Sequence, residues 1–458
     1  LGRFAADQPA AADPAVLSLP VLLASVLLAF LTTIVFGVLP AVRTALPDRG
    51  GTLLQSLRQG ERAGTGNRGR ARTLLAATEI ALAVVLLLGA TLLLRSFAKL
   101  LEVDPGFRPA HLLSLQIALP ANIYADGNHI QSFYEQVLAR IGKLPGVAAA
   151  ASSNVCPLTP SHSSTRFLVQ GAPALPPGEY PVAQVRFVSP TYFETMGIAL
   201  LAGRGFEPRD MNDPVGVIVV NQAFARRYLP ERFSTTSKLI MGVLSPQPAT
   251  IPVVGVVANA RDVALDVPVE PEIYFPGYDS RATLLVRTSM PPGTLTPYIR
   301  QAVLAIDRNQ PVYEIANMDA VLANSLTRPR VLATLLALFA GLALTLAAIG
   351  IYGVLAFSVV QRRREIGIRM ALGARRSDVL GMVLRQGLIL VLAGELSGLL
   401  SGLALGRLLR TLLFQVRTFD PPAVAASLAL LALAGLLAIA LPAWRAAQVD
   451  PIETLRTE

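Results

Sequence analysis

The chain has 458 residues, 53% of them hydrophobic and only 15% charged, and its mean hydropathy is +0.52, a balance that argues for a membrane protein. Its formal net charge of +10 is not evidence of nucleic-acid binding, because residues 98–328 are neutral with 18 basic and 18 acidic side chains. The excess sits in two short stretches, 42–72 with seven basic and two acidic residues and 361–378 with six and two. Basic loops at the ends of apolar segments mark the cytoplasmic side, since Lys and Arg in short loops are seldom translocated. Such loops can also touch anionic lipid, at about 1 kcal/mol per basic residue near the surface. Cys156 is the only cysteine, which excludes an intrachain disulfide and a cysteine-based metal site. The three histidines, His111, His129 and His162, are far apart in sequence and suggest no metal centre.

Five segments reach the ~20 residues that a helix needs to cross a ~30 Å apolar core. The first, 16–41, has no charge, and with the flanking residues 1–43 it is expected to be a last span left over from a preceding unit. A Gly/Arg-rich cytoplasmic linker (44–72) follows. Residues 73–97 form the next expected span; its only internal acid, Glu79, lies close to the basic end, where it could snorkel. Residues 98–328 then make a large outer domain of mixed α/β character. In it, 111–119 alternates as a strand, 129–141 reads as a helix and 147–155 as a second strand. The order repeats at 283–288, 295–306 and 312–316, so two β-α-β halves are expected to form one subdomain. A Pro/Gly-rich insertion at about 157–280, with strands at 217–220 and 253–257, is expected to stand largely apart.

Three more spans are expected at 329–360, 380–410 and 421–444, with a short outer link at 411–420 and a cytoplasmic tail at 445–458. Between the first two of these lies QRRREIGIRMALGARRSD, residues 361–379 being assigned to a cytoplasmic coupling helix and its flanks. Ile366 and Met370 stack at i,i+4, and Ile368 and Leu372 do so on a roughly opposite side. A helix apolar on two sides wants two partners, here the membrane domain and a second protein. Arg362, Arg363 and Arg364 could also be no more than positive-inside anchors. In the span at 380–410, Gly394, Gly398, Gly402 and Gly406 recur every four residues, a spacing that lets helix backbones approach closely, within one unit or across a dimer-like interface. Glu395 is an intramembrane charge with no basic partner evident at its depth; a structural or neutral carboxyl is the preferred reading over a proton or substrate role. Ser152, Ser153, Ser161, Ser163 and Ser164 near His162 read as a loop rather than a hydrolase site, since no G-x-S-x-G elbow occurs. Asp307 and Arg308 fit a surface turn.

Residues 39–43 (LPAVR) and 441–445 (LPAWR) each close an apolar run that starts with Asp-Pro, and each precedes a short helix-like stretch, TLLQSLR and PIETLR. With REIGIRMALGARRSD (364–378), RTLLAATEIALAVVLLLGATLLLRSF and VDPGFRP (103–109), these features resemble the MacB/FtsX-type permeases of ABC transporters. The resemblance extends from residue 72 to the end and is similar to the C-terminal unit of the duplicated, acidobacterial-type permeases. It implies an α-helical membrane protein with a mixed α/β periplasmic domain, one four-span permease unit plus the leftover span. The expected fragment character of the chain follows from the same likeness.

The resemblance further implies a bacterial inner-membrane permease subunit that passes nucleotide-driven motion to its periplasmic domain for efflux or extrusion. No G-x-x-x-x-G-K-[ST] phosphate loop occurs in the sequence. The expectation is therefore a chain that is not an enzyme and holds no cofactor, catalytic residue or metal, with ATP bound by an ATPase on a separate chain. Further expected partners are a second permease unit (tandem or homodimeric), a periplasmic adaptor and an outer-membrane channel, and no nucleic acid. The ATPase-docking residues are expected to be Arg364, Glu365, Ile366, Gly367, Ile368, Arg369, Met370, Leu372, Gly373 and Ala374. Two alternatives stay open: a lipoprotein-release, cell-wall-hydrolase-activating or peptide-sensing subunit of the same family, and a membrane-anchored periplasmic binding domain.

Overall fold

The computed structural model describes residues 62–159, 163–173, 176, 179–213, 215–229, 237–406, 413–416 and 419–448. The chain divides into two compact units, Leu1–Leu74 and Leu75–Glu458. The expected span at 16–41, the LPAVR end that gives the repeat its first half, the TLLQSLR stretch and the tail at 451–456 lie outside the described residues.

Among the described residues, four helices are long and apolar enough to cross a membrane. They are the Arg72–Leu101 part of α1 (Arg62–Leu101), α7 (Thr327–Gln361), α9 (Arg376–Leu405) and α10 (Pro421–Ala447). The 35 residues of α7 at about 1.5 Å each make roughly 50 Å, well beyond a ~30 Å apolar core, so the helix must project past it. These helices are apolar inside and out, as a bilayer solvent requires. Ile80, Val84, Leu88, Ile351, Leu355, Val391, Leu431 and Ile439 build the bundle core. Leu342, Leu346, Ile349, Leu392, Leu396, Leu400 and Leu437 remain exposed on its outside.

The outer domain follows α1. The strand β1 (Leu112–Ala118), helix α2 (Gly127–Ile141) and strand β2 (Val147–Ser153) form the first half. The second half is β10 (Arg281–Thr288), α5 (Pro292–Leu304) and β11 (Val312–Asn317). The halves interleave in the order β11-β1-β10-β2, all neighbours antiparallel, so each β-α-β unit leaves room for a strand of the other. The register explains the alternation in the sequence. Leu113, Leu115, Ile117, Leu284 and Val286 face Phe133, Tyr134, Val137, Leu295 and Ile299 of the two helices. Helix α2 starts where the Asp126 side chain accepts the His129 N–H at 2.8 Å.

The insertion contributes β3 (Ser164–Val169), β4 (Val182–Val188), α3 (Tyr192–Met196), β5 (Leu200–Gly203), β6 (Ile218–Asn221), α4 (Gln222–Tyr228), β7 (Lys238–Met241), β8 (Ala249–Val257) and β9 (Glu272–Pro276). Strands β4-β3-β7-β8-β6-β9 run in sequence and close on themselves through the parallel pair β4–β9. The ring has its own core around Phe167, Phe224, Ile218, Val220, Val253 and Ile273. It joins the first sheet through the Ser153–Val188 pair of β2 and β4. A third core lies against the other face of the first sheet. It gathers Leu100 from α1, Leu112, Tyr192, Met196, Tyr274, Leu285 and Met318, the last opening α6 (Met318–Ser325), which leads directly into α7.

Candidate docking site

At the end of α7 remote from the large domain the chain turns at Arg362 (φ −99°, ψ 11°) and starts the short helix α8 (Arg363–Ala371). Ile366 is 2% exposed and packs with Val379 and Val383 of α9 and with Ala443 and Ala446 of α10; Met370 lies partly buried against the same cluster. Gly367 is buried on that side. Ile368 and Leu372, the other i,i+4 pair, stay in the open at 43% and 83% exposure. Glu365 and Arg369 pair across one turn at 2.5 Å, and both are about half exposed. Arg364 lies within α8, and its side chain is outside the described residues.

The helix ends in a Schellman closure. Gly373 donates to the Met370 carbonyl at 3.1 Å, Ala374 donates to the Arg369 carbonyl at 3.0 Å, and Gly373 takes a φ of +98° that favours glycine. The Asp378 carboxylate then accepts the Arg375 N–H at 2.9 Å and opens α9. A nine-residue helix is thus fixed at both ends and clamped on one face, which leaves an apolar ridge pointing away from the bundle.

The glycines of α9 lie against α1 of the same chain. A Cβ at Gly398 would stand 2.6 Å from the Ala81 carbonyl oxygen, and one at Gly402 would stand 2.8 Å from Leu88 Cδ1. At Gly394 it would run into Ile80. Gly406 caps the helix, donating to the Gly402 carbonyl at 2.8 Å. Glu395 is half-buried, and its Oε1 has no hydrogen-bond partner among the described residues. Glu79, expected to snorkel toward the basic end of its span, instead turns its carboxylate onto Gly350 of α7, where the missing side chain leaves it room. Ser152 and Ser153 are buried in β2, while Ser161 and His162 lie outside the described residues. Among the described residues no group of three His, Cys, Asp or Glu side chains could hold a metal ion.

One charged cluster leaves almost no trace in the sequence. Arg186 on β4, 4% exposed, lies 2.7 Å from Glu272 on β9 and 3.0 Å from Asp262 in the segment between β8 and β9. Tyr274 donates to Glu272 at 2.6 Å, and Arg186 donates to the Val155 carbonyl at 3.3 Å. A cavity of about 30 Å³ borders the three charged groups. Burial pushes the Asp262 carboxyl well above its ordinary value, with Arg186 offsetting only part of that. At Glu272 burial acts the same way, but the Arg186 charge and the hydrogen bonds win and hold it below its ordinary value. The two acids are thus driven in opposite directions around one shared cation. The cluster's only sequence signal is a lone Arg or Glu inside otherwise apolar strands, VAQVRFV and EIYFP.

Comparison with known proteins defines the class. Residues 73–312 match the family model of the MacB-like periplasmic core domain, and residues 337–451 match that of the FtsX-like permease C-terminal region. The first match alone takes in more than half of the chain, and the protein belongs to the MacB/FtsX-type ABC transporter permeases. It is thus a membrane protein whose large domain is of the periplasmic MacB type. Similar curated proteins include the macrolide export ATP-binding/permease protein MacB of Mannheimia succiniciproducens, 24% identical over 327 residues that make up 68% of this chain and 48% of that protein. The probable syringafactin export ATP-binding/permease protein SyfD of Pseudomonas syringae pv. syringae is 28% identical over 284 residues, 60% of this chain and 43% of that one. The chain spans about half the length of these relatives. A crystal structure of the periplasmic region of MacB from Actinobacillus actinomycetemcomitans aligns over 49% of this chain and 97% of that one, with 13% identity and a TM-score of 0.33.

Proposed function

We propose that the protein is the permease part of a MacB-type exporter in a bacterial inner membrane, coupling ATP hydrolysis by a partner ATPase to movement of its periplasmic domain. The observation that carries this reading is the division of α8 into a clamped face, Ile366 and Met370, and a bare apolar ridge, Ile368 and Leu372. A solvated anchor loop needs charge alone. An apolar ridge beside a 2.5 Å ion pair offers a partner both buried area and a directional polar rim. Force applied to the ridge passes through Ile366 to Val379, Val383, Ala443 and Ala446, and so to α9 and α10 together. It reaches α7 through the turn at Arg362, and α7 and α1 run on into the third core of the periplasmic domain. Nucleotide chemistry belongs to the ATPase; this chain contributes leverage. A second permease unit, an adaptor and an outer-membrane channel complete the assembly in this reading, and the names of the relatives favour export as the task.

The test is co-purification with a candidate ATPase from the same operon. Leu372→Asp and Ile368→Asp are expected to lower recovery of the ATPase at least about tenfold, the scale of one apolar hot spot replaced by a charge. The thermal stability of the permease should hardly change, because both side chains are already exposed. Unchanged recovery with both substitutions would remove α8 as the docking element.

A further inference from the structure

The described residues of the outer link between α9 and α10, 413–416 and 419–420, are attached to their surroundings far more firmly than a tether needs to be. Phe414 packs against the third core. Its N–H donates to Ser96 Oγ at 2.8 Å, Lys99 donates to the Gln415 carbonyl at 2.6 Å, and Arg95 pairs with Asp420 at 3.1 Å. Three side chains within a turn or so of α1 thus hold the link against the outer end of the first span.

The ring of Phe414 also carries the guanidinium of Arg261 at 5.8 Å. Arg261 belongs to the segment 258–271 between β8 and β9, and that segment touches the chain just beyond α1, helix α4 and strand β4. The Arg261 N–H donates to the Pro105 carbonyl at 2.8 Å, just beyond α1. Gly106, at φ +79°, lies so close to the Asn259 carbonyl that no Cβ would fit. Asn259 Oδ1 accepts the Ala223 N–H of α4 at 2.8 Å. The neighbouring Asp262 reaches Arg186 on β4, where the ring closes on itself and joins the first sheet.

We propose that residues 413–416 and 258–264 form a clasp, braced on the outer end of α1, that carries movement of α9 and α10 to the Arg186 junction in addition to the route through the continuous helices α1 and α7. Phe414 and Arg261 are its positioning residues: they act by holding two segments in register and touch no cargo. The chain of contacts from Phe414 through Arg261 and Asp262 to Arg186 is short and packed throughout, as an element with two discrete arrangements requires. What drives the spans rests on the function proposed above, whereas the clasp as a physical link does not.

The test uses the full chain in lipid nanodiscs with its ATPase. In the absence of nucleotide, Phe414→Ala should speed amide hydrogen exchange in 258–264 by about tenfold or more while leaving β1 and β10 unchanged. Equal exchange would overturn the clasp. A second measurement places spin labels at Val215→Cys on the ring side and Asn309→Cys on the split β-α-β side, in a Cys156→Ala background. Trapping with ATP and vanadate should shift the label distance in the otherwise native chain. In Phe414→Ala, and in Arg261→Gln as the milder variant, less than about half of that shift should remain, with ATP hydrolysis within about twofold of normal. A full shift in both variants would overturn transmission through the clasp, since a merely structural role would leave it intact. If the native chain supports no ATP hydrolysis with its partner, the docking proposal fails, and the exchange measurement alone then decides the clasp.

Discussion

The span bundle and the periplasmic domain are both well packed, yet they are held together by opposite chemistry. Between spans the contacts are small against aliphatic: Gly398 on Ala81 and Val84, Gly387 on Ile439, and Gly435 on Val391 and Ile351. Polar ties are few, such as Thr91 to Ser427 at 3.1 Å and Gln386 to Ser358 at 3.2 Å. The outer domain is pinned by buried aromatics and charge, including Tyr134, Tyr192, Tyr274, Phe167 and Phe224, with Arg186 between two carboxyls. Solvent explains the contrast. Lipid gives helices no hydrophobic reward for meeting, so close backbone approach has to supply the attraction. Water rewards burial of large rings, and an enclosed ion network imposes direction. Smooth helix faces can slide by small steps, whereas the outer domain is fixed about a junction by its buried ion network.

The largest expected effect tests the pinned side. Arg186→Met leaves Glu272 and Asp262 buried without their cation, and it should cost about 3–5 kcal/mol in unfolding of the periplasmic domain within the full chain. The helical signal of the bundle should survive that melt. A cost below about 1 kcal/mol would mean that the network is ornament to the fold.

Gly398→Ala and Gly402→Ala sharpen the sliding side. At Gly398 the added methyl meets the Ala81 carbonyl, which cannot move without α1, and about 1–3 kcal/mol of bundle stability should be lost. At Gly402 it meets the far end of the Leu88 side chain, which can rotate, so the loss should be clearly smaller in the same steric-trapping or detergent-unfolding measurement. Equal losses would deny that α9 and α1 approach by backbone.

The smallest effect is one of pH. Burial raises the Asp262 carboxyl, so the folded chain keeps a proton that the unfolded chain releases, and stability should fall as pH rises above the ordinary carboxylate range. Asp262→Asn removes that titration and should flatten the slope above the ordinary carboxylate range. Glu272, held low chiefly by Arg186 against its burial, acts in the other direction, and its contribution disappears only in acid below its ordinary value. If the slope were the same in Asp262→Asn, the upward shift of the Asp262 carboxyl would not be its source.

Much of this architecture is legible in the sequence wherever one local rule decides the outcome. Apolar runs between basic loops give the spans, and strict alternation in LLSLQIA gives β1. The Ile366/Met370 and Ile368/Leu372 pairs identify a helix with two apolar faces, but both pairs are equally apolar, so only packing shows that Ile366 is the inward residue. The helix itself runs Arg363–Ala371, shorter at both ends than the stretch 361–379 assigned to it, because Arg362 breaks α7 and Gly373 stops α8. The closure of the ring is out of reach, although two of its strands, expected at 217–220 and 253–257, are present in β6 and β8. Its strands IVVN, KLIM and EIYFP are short, and the closing β4–β9 and β6–β8 contacts are parallel pairings between distant segments. Nothing local in VAQVRFV reveals that Arg186 faces two acids more than seventy residues away.

The central claim is that the ridge of α8 lies on the cytoplasmic side and is covered by an ATPase. Its most direct test is labelling of Leu372→Cys, in a Cys156→Ala background, with a membrane-impermeant maleimide. The account predicts no labelling in intact spheroplasts, strong labelling in inverted membrane vesicles, and loss of that labelling when purified ATPase is added. Labelling from the outside of spheroplasts, or labelling in vesicles that the ATPase leaves untouched, would contradict it.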